Sequence, residues 1–359
     1  MSLEDNPGKV ICLILLKNSI SACNPSDGQG GLYNTCMTAI VRPISGQIPH
    51  LRPLNILRDL AGVADLVEMC FADTMDTEGR NYIQQMRSAG KDNFFLRWAN
   101  SVVETASLPL SGYIWEENGE IIGNVSLIPF HHSKNKYYLI ANVAVSPEFR
   151  KRGIGRALTQ AAMQHARDRH AYETWLHVRA DNPGAIELYR SLGFVDKHQR
   201  TTWQSLPIQN PGESKPVVTI SRRTSRDWPL QQTWLRRLYP DQLSWYLPIP
   251  WNSLRPGPGP AIYRLLSDQD IHHWVARTDG SPSAIVSWQG VAGQTNRLWM
   301  AIPEGGQEVT LTALLQHASH EYFWRVKTSL DFPAGNYVDS FRAAGFQAVR
   351  TLLWMKYET

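Results

Sequence analysis

Four cationic residues and two glycines fall in one short stretch and are the residues best suited to bind an anion. The segment before them, Tyr137–Val145, is rich in aromatic and β-branched residues and predicts a strand that ends at Pro147. From Ile154 onward, apolar residues recur at helical spacing, which predicts a helix opening near Gly153. Glycine lacks a Cβ, so backbone N–H groups can approach a ligand closely, and a new helix offers unpaired N–H donors. This stretch, residues 146–156, is called the basic turn, and it predicts an anion site built from Arg150, Lys151, Arg152, Gly153, Gly155 and Arg156.

Two common phosphate-binding motifs do not fit the basic turn. A P-loop needs G-x-x-x-x-G-K-[ST], which does not occur, and a dinucleotide fingerprint needs a third small residue where Leu158 stands. The remaining pattern is Arg150-x-x-Gly153-x-Gly155. Alone, this pattern is equally compatible with an ordinary turn between a strand and a helix.

A second motif follows the apolar segment Thr174–Val178 and runs N-P-G-A-I-E-L-Y-R-S-L-G-F from Asn182. Asn182 is typical of a helix N-cap, and Gly193 is typical of a helix end before a strand that begins at Phe194. Tyr189 lies on the apolar face of this helix. In isolation, Tyr189 fits a packed aromatic side chain at least as well as a functional one.

The two motifs together resemble the GNAT family of N-acetyltransferases. The basic turn, preceded by V-A-V-x-P, matches the family's acyl-coenzyme A signature, and N-x-x-A-x-x-L-Y-x-x-x-G-F matches its closing motif. The resemblance covers residues 50–205. It implies an α+β fold around a twisted mixed sheet flanked by helices, with acetyl-coenzyme A as co-substrate.

The resemblance also implies a role for each motif residue. The strand edge would pair with the pantetheine amides, backbone N–H groups of the basic turn would bind the pyrophosphate, and Asn182 would hold the pantetheine arm. The implied coenzyme-binding residues are Val143, Ala144, Val145, Arg150, Lys151, Arg152, Gly153, Ile154, Gly155, Arg156 and Asn182. Tyr189 is the implied general acid for the leaving thiolate, because its ordinary pKa of about 10 suits a thiol of similar basicity.

The sequence does not identify the general base. Tyr137–Val145 contains no acidic residue at the position where many family members place a glutamate. Four other side chains are alternatives that would act through water: Glu116, Glu117, His131 and His132.

The elements upstream of the basic turn fit the same fold. Residues 51–54 predict a first strand, Asp59 is expected to cap a helix, and Thr77–Ala89 predicts a second helix. The dipeptide Asn118-Gly119 predicts a tight hairpin. In the family the two helices line the acceptor pocket, so three of their side chains are either acceptor-side or core residues: Phe71, Met75 and Tyr82.

The C-terminal half repeats part of this pattern at one offset. The segment Gln164–Ala166 recurs as Gln316–Ala318, and Leu192–Phe194 recurs as Ala344–Phe346 at the same offset and without a gap. Two separate matches at one offset predict a second copy of the fold.

The second copy lacks the chemistry of the first. Ala334 stands at the position of Asn182, and Phe341 stands at the position of Tyr189. No arginine precedes the glycines of residues 301–306, and a turn with nearby acidic residues is a poor anion site. The copy is therefore expected to be degenerate.

These patterns divide the chain into four parts. Residues 1–47 match no part of the family pattern and are treated as an extension, and residues 48–206 form the expected catalytic domain. Residues 207–216 are rich in proline, glycine and polar residues, as a linker is. Residues 217–359 form the degenerate domain.

Composition limits the partners. The chain has 359 residues, 43% of them hydrophobic, which suits two globular domains, and a net charge of +4, which is too mild for a typical nucleic-acid binder. The apolar run Val10–Leu16 is too short to span a bilayer, so no membrane is expected as a partner. The chain has four cysteines, Cys12, Cys23, Cys36 and Cys70, and they lack C-x-x-C spacing. This spacing favours neither a disulfide framework nor a metal site, and it indicates a reducing cytoplasm. The histidine pairs His272-His273 and His317-x-x-His320 have no third ligand nearby in sequence, so no metal is expected.

Two functions remain in view. The favoured one is transfer of an acetyl group from acetyl-coenzyme A to a primary amine of a small molecule or peptide by direct attack. The alternative is an acyl-coenzyme A sensor or scaffold without catalysis. Retention of the full basic turn, Asn182 and Tyr189 favours the enzyme.

Overall fold

The chain divides into two compact units. A computed structural model describes residues 48–75, 77–89, 111–205, 218–266, 269–290, 295–323 and 327–358. The predicted extension (1–47) and linker (207–216) lie outside these ranges. The first unit contains the described residues up to His177, together with Gly184–Val195 and residues 355–358. The second unit contains Val178–Pro183 and Asp196–Trp354.

The first unit is built on a five-stranded sheet with helices. Its strands are β1 (Leu51–Pro53), β2 (Ser111–Glu117), β3 (Glu120–His132), β4 (Asn135–Val145) and β5 (Glu173–Arg179). Its helices are α1 (Ile56–Phe71), α2 (Thr77–Ala89), α3 (Ile154–Asp168) and α4 (Pro183–Ser191). The strands lie in sequence order, antiparallel from β1 to β4 and parallel between β4 and β5. This mixed sheet confirms the predicted α+β class.

Short-range signals place several of these elements correctly. Asn118 and Gly119 have φ of +51° and +84°, the left-handed values that a two-residue hairpin needs, and they join β2 to β3 as predicted. The helix predicted over Thr77–Ala89 has those bounds.

The start of α1 differs from the prediction. Asn55, not Asp59, is the N-cap, and its side chain accepts a hydrogen bond from the Leu57 N–H. Asp59 lies in the first turn, is 2% exposed and accepts a hydrogen bond of 2.7 Å from the Asn55 N–H. Its carboxylate also receives two bonds from Arg52 of β1, at 2.6 and 2.9 Å. Asp59 therefore fastens the first strand to the first helix.

Replacing Asp59 by alanine is expected to destabilise the first unit by about 3 kcal/mol, because it leaves the half-buried Arg52 guanidinium without this partner. The free energy of unfolding from a urea titration checks the value. Asp65→Ala is the matched control on the same helix, since Asp65 is 65% exposed and pairs with Arg87 in solvent. Equal shifts of the unfolding midpoint in the two variants would contradict the role given to Asp59.

The first unit has a core between α1, α2 and the sheet. It includes Leu60, Val63, Ala64, Leu66, Val67, Ile83, Met86, Ile114 and Ala144. Phe71, Met75 and Tyr82 are only partly buried and pack against this cluster. The three candidates for the acceptor side thus line the core and keep part of their surface exposed.

Residues 355–358 complete the first unit beside Gly193. The Tyr357 ring lies 5.6 Å from the Phe194 ring, and the Glu358 N–H donates to the Gly193 carbonyl at 3.3 Å. Lys356 Nζ lies 2.7 Å from a carboxylate oxygen of Glu173. The strand that follows the second motif therefore begins against a segment from far along the sequence.

The second unit repeats the same order of elements with one added short helix. Its strands are β6 (Phe194–Ser205), β7 (Thr219–Arg222), β8 (Asp270–Thr278), β9 (Ser281–Gly290), β10 (Asn296–Ala301), β11 (Thr328–Pro333) and β12 (Phe346–Tyr357), counting the strands that lie mostly in it. Its helices are α5 (Trp228–Leu238), α6 (Trp251–Leu254), α7 (Pro258–Leu266), α8 (Glu308–Ala318) and α9 (Val338–Ala343). The sheet order is β12, β6, β11, β10, β9, β8, β7, again with one parallel pair, β10 and β11.

The predicted repeat falls on equivalent elements of the two halves. Gln164–Ala166 lies near the end of α3, and Gln316–Ala318 ends α8. Gly193 and Gly345 have φ of +92° and +82°, and each directly precedes a strand. Across the described ranges, no helix has both the length and the apolar composition needed to cross a lipid bilayer.

Candidate active site

The basic turn joins β4 to α3 through two left-handed residues. Lys151 has φ of +62° and Gly153 has φ of +82°, and α3 starts at Ile154 with Gly153 as its N-cap. The helix therefore opens where the sequence predicted. Ile154 is 3% exposed, so its side chain anchors the turn in the core while its backbone N–H remains at the first helical position.

The basic turn has room above its backbone. A Cβ added to Gly153 would have no atom within 4 Å, and one added to Gly155 would lie 3.6 Å from a methyl carbon of Leu188. The space beside these glycines is thus open to a ligand. The arrangement fits the pyrophosphate that the family resemblance implies, because the glycines let phosphate oxygens approach the backbone.

The charged side chains of the basic turn are exposed and hydrogen bond to neutral groups. Arg150 Nε donates to the Val145 carbonyl at 3.1 Å, Arg152 Nη2 to the Glu148 carbonyl at 3.3 Å, and Arg156 Nη2 to the Ser191 hydroxyl at 2.7 Å. Among the described residues, none of these three arginines forms an ion pair. Their positive charge therefore remains available to an anion.

The strands β4 and β5 part beside the basic turn. They pair only from Tyr137 with Glu173 to Ile140 with Leu176. Beyond that point β4 continues to Val145, held on its other edge by β3. Within the described part of the chain, the β5-facing edge of residues 143–145 has no strand partner, although the Val145 carbonyl already accepts hydrogen bonds from Arg150 Nε at 3.1 Å and Cys70 Sγ at 3.4 Å. Other peptide groups of this edge can pair with an extended ligand.

Tyr189 lies on α4 close to the basic turn. It is 6% exposed, and its ring packs 6.1 Å from that of Phe194. Leu188, the preceding residue, approaches Gly155 in the first turn of α3. Burial raises the pKa of Tyr189 well above the ordinary value of about 10 that the sequence argument used. The hydroxyl is therefore protonated near neutral pH, but it is a weaker acid than the match with a thiol in the sequence argument assumed.

Asn182 belongs to the second unit and directly precedes Pro183, the first residue of α4. This is the position that the sequence predicted, and its backbone N–H donates to the Arg179 carbonyl at 3.1 Å. Its role toward a coenzyme stays a prediction.

A polar cluster that sequence reasoning missed lies beside residue 143. Asn142 has φ of +51° where β3 and β4 shift register, and its Nδ2 donates to the Tyr82 hydroxyl at 2.9 Å. Asn124 Nδ2 donates to the Asn142 carbonyl at 3.0 Å, while the buried Asn124 Oδ1 has no partner. An asparagine inside an apolar strand is the signal that could have revealed this bulge.

The acidic alternatives for the base are already engaged. The Glu116 carboxylate lies 2.5 Å from an Arg52 nitrogen and 3.1 Å from an Arg58 nitrogen. Glu117 accepts a hydrogen bond from Trp115 Nε1 at 2.9 Å. Both contacts favour structural roles for these glutamates. Over the described ranges, no group of three or more His, Cys, Asp or Glu side chains is placed to hold a metal ion.

The turn at residues 301–306 of the second unit is filled at Gly306 but open at Gly305, where an added Cβ would have no atom within 4 Å. A Cβ added to Gly306 would lie 2.4 Å from Ile302 Cγ2 and 3.1 Å from the Tyr337 hydroxyl, which donates to the Gly306 carbonyl at 3.0 Å. Phe341, which stands at the position of Tyr189, is fully buried, and its ring lies 5.0 Å from that of Trp203. Tyr337 thus packs against the backbone of Gly306.

Comparisons with known proteins agree with this geometry. Residues 75–194 match the sequence model of the acetyltransferase (GNAT) family. The chain is 47% identical over 53 residues to the [ribosomal protein bS18]-alanine N-acetyltransferase of Salmonella typhimurium, covering 15% of this chain and 36% of that protein. It is 38% identical over 96 residues to an uncharacterized N-acetyltransferase of Methanocaldococcus jannaschii, covering 25% of this chain and 42% of that protein.

A solved structure shares the fold along most of the chain. The GCN5-related N-acetyltransferase of Sphaerobacter thermophilus aligns with a TM-score of 0.52 at 15% identity, covering 87% of this chain and 96% of that one. Residues 75–194 therefore match a GNAT acetyltransferase domain, and the solved structure shows the same fold along most of the chain.

Proposed function

We propose that the chain is an N-acetyltransferase that moves an acetyl group from acetyl-coenzyme A to a primary amine of a small molecule or peptide. The observation that carries the proposal is the parting of β4 and β5 next to an open, cationic turn at a helix start. Acetyl-coenzyme A contains an extended chain with amide groups that leads to a pyrophosphate. The amide groups match the unpaired edge of β4, and the pyrophosphate matches the basic turn that follows this strand.

The coenzyme is bound mainly by backbone groups in this proposal. The free edge of residues 143–145 pairs with the pantetheine amides, and the N–H groups of residues 151–156 bind the pyrophosphate. Arg150 and its neighbours add charge attraction. Asn182 is proposed to hold the pantetheine arm, as the family motif implies.

The chemistry is a direct transfer. The amine nitrogen attacks the thioester carbonyl carbon, the tetrahedral intermediate collapses, and the carbon–sulfur bond breaks. The Tyr189 hydroxyl gives its proton to the leaving thiolate, and the amine releases its proton to water. The tyrosinate then regains a proton from solvent.

The acceptor is an amine. One relative's name states that it acts on an alanine of a ribosomal protein, which supports a peptide amine as one candidate acceptor. The cysteine usage supports a reducing compartment, so we propose a cytoplasmic reaction.

Thiol release from acetyl-coenzyme A tests the proposal. The full chain is incubated with acetyl-coenzyme A and a panel of aminoglycosides, polyamines, amino acids and peptides, and thiol is measured. We expect amine-dependent release with at least one acceptor class. Tight coenzyme binding without release for every amine would instead support the sensor alternative.

One coenzyme is expected to bind per chain, because the basic turn contains four cationic residues whereas no arginine precedes the glycines of residues 301–306. Calorimetric titration of the full chain with coenzyme A checks the stoichiometry. Two equivalent sites per chain would contradict the assignment of the second unit as degenerate.

A further inference from the structure

The second unit contains a partly buried group of polar side chains that the proposed reaction does not use. It consists of Arg223, Gln231, Arg264, His273 and Ser287, and is called the Arg223 cluster. These residues come from α5, α7, β8, β9 and the residue that follows β7. All of them lie within the second unit.

Arg223 uses only one edge of its guanidinium. Its Nη1 donates to Gln231 Oε1 at 2.5 Å and to the Leu254 carbonyl at 2.8 Å. Its Nε is buried and has no hydrogen-bond partner. The Nε–H and one Nη2–H of an arginine point the same way and together match two oxygens of a carboxylate or phosphate. This edge of Arg223 makes no hydrogen bond within the described residues.

A second guanidinium lies close to the first. Arg264 Nη1 donates to the Ser253 carbonyl at 2.9 Å, the carbonyl next to the one that Arg223 contacts. Burial, followed by the charge of Arg264, lowers the pKa of Arg223 to about 10. The Asp227 carboxylate is taken by Arg277 at 2.8 Å. Among the described residues, neither Arg223 nor Arg264 forms an ion pair, although like charges in a half-buried site repel each other.

The remaining members of the cluster are neutral donors. Gln231 Nε2 donates to the Ser287 hydroxyl at 2.7 Å, so the Ser287 proton is free to donate to His273 Nδ1, also at 2.7 Å. Burial, with the charges of Arg223 and Arg264, lowers the pKa of His273 to about 2. A neutral His273 that accepts at Nδ1 carries its proton on Nε2 and adds one more N–H donor.

A purely structural role explains only part of this arrangement. Both arginines bond the carbonyls that end the short helix α6, as basic side chains often do at helix ends. Binding of the helix-end carbonyls accounts for the hydrogen bonds of Arg223 Nη1 and Arg264 Nη1. It does not account for the unused edge of Arg223 or for placing a second positive charge beside it.

We propose that the Arg223 cluster binds an oxyanion, a carboxylate or a phosphoryl group, through the free edge of Arg223 with Arg264 as the second positive charge. The anion would satisfy the buried Nε–H and offset the repulsion between the guanidiniums. The site is separate from the proposed acetyl transfer and gives the second unit a binding function of its own.

Imidazole resonances of His273 in the full chain provide a local readout. Inorganic phosphate and acetate are titrated separately at constant ionic strength, and His273→Gln assigns the signals. We expect a saturable shift with at least one of the two, and the stronger binder identifies the chemical class. Arg223→Lys keeps the charge but loses the paired edge, so it is expected to weaken binding at least about tenfold.

Arg264→Gln is expected to weaken binding of the same anion. Arg236→Gln is the matched control. Arg236 lies on α5, with its guanidinium 5.6 Å from the Trp251 ring centre, and its loss should leave the titration unchanged. The proposal is overturned if neither anion gives a saturable shift, or if both cluster variants bind as the wild type does.

Discussion

Tyr189→Phe is expected to lower turnover by about 100- to 10,000-fold while the affinity for the coenzyme stays nearly unchanged. The substitution removes one hydroxyl and keeps the ring that packs against Phe194. Burial keeps this hydroxyl protonated, so its loss removes the proton donor for the leaving thiolate. Steady-state kcat with the best amine and calorimetric Kd for coenzyme A separate the two effects.

Tyr113→Phe is the matched control for that experiment. Tyr113 is also buried, at 3% exposed, and its hydroxyl lies 3.3 Å from His165 Nδ1. Its loss is expected to reduce stability and to leave turnover almost intact. Wild-type turnover in Tyr189→Phe would mean that solvent protonates the thiolate. With a thioester of a more acidic thiol, the loss of turnover in Tyr189→Phe should be smaller, because such a leaving group needs no proton.

Gly153→Val is expected to weaken coenzyme A binding by about 10- to 100-fold. A side chain at this position would fill the open space above the basic turn and hinder one hydrogen bond to the pyrophosphate. Hydrogen bonds to charged groups contribute about 1.5–3 kcal/mol each, which sets the expected range. Calorimetric titration of the full chain measures the change.

Gly119→Val is the matched control for Gly153→Val. Comparing the two variants separates the effect of filling the ligand space from the effect of backbone strain. Gly119 has φ of +84°, nearly the same as Gly153, and an added Cβ there would also meet nothing within 4 Å. Both variants therefore carry similar strain, but Gly119 lies in the β2–β3 hairpin. Gly155→Val should resemble Gly153→Val, since Gly155 lies in the first turn of α3. Wild-type affinity in both variants of the basic turn would contradict the pyrophosphate assignment.

Local patterns predicted the fold because each depends on neighbouring residues. A glycine before an apolar helical pattern defined the start of α3, and Asn118-Gly119 defined a hairpin. The repeat was also visible, because Gly193 and Gly345 both need left-handed φ before a strand. The positions of the basic turn and of Tyr189 followed from these elements.

Features that depend on distant partners were not predictable. Asp59 resembled an N-cap, but Asn55 holds that position while Asp59 binds Arg52 from the preceding strand. The raised pKa of Tyr189 follows from its burial, which no spacing reveals. The unused edge of Arg223 depends on where the Leu254 carbonyl lies, and that position is set by the packed second unit.

The packing of Tyr357 on Phe194 has a consequence for biosynthesis. Domains generally fold from the N-terminal side while the ribosome is still elongating the chain. Here, residues 355–358 are synthesised long after both motifs. Until then, Gly193 and Phe194 of the nascent first unit lack their contacts with Glu358 and Tyr357. A product of premature termination within the second unit would carry the basic turn and Tyr189, yet the surface beside Tyr189 would stay unfinished. The first unit therefore makes its complete set of contacts only after residue 358 has been translated.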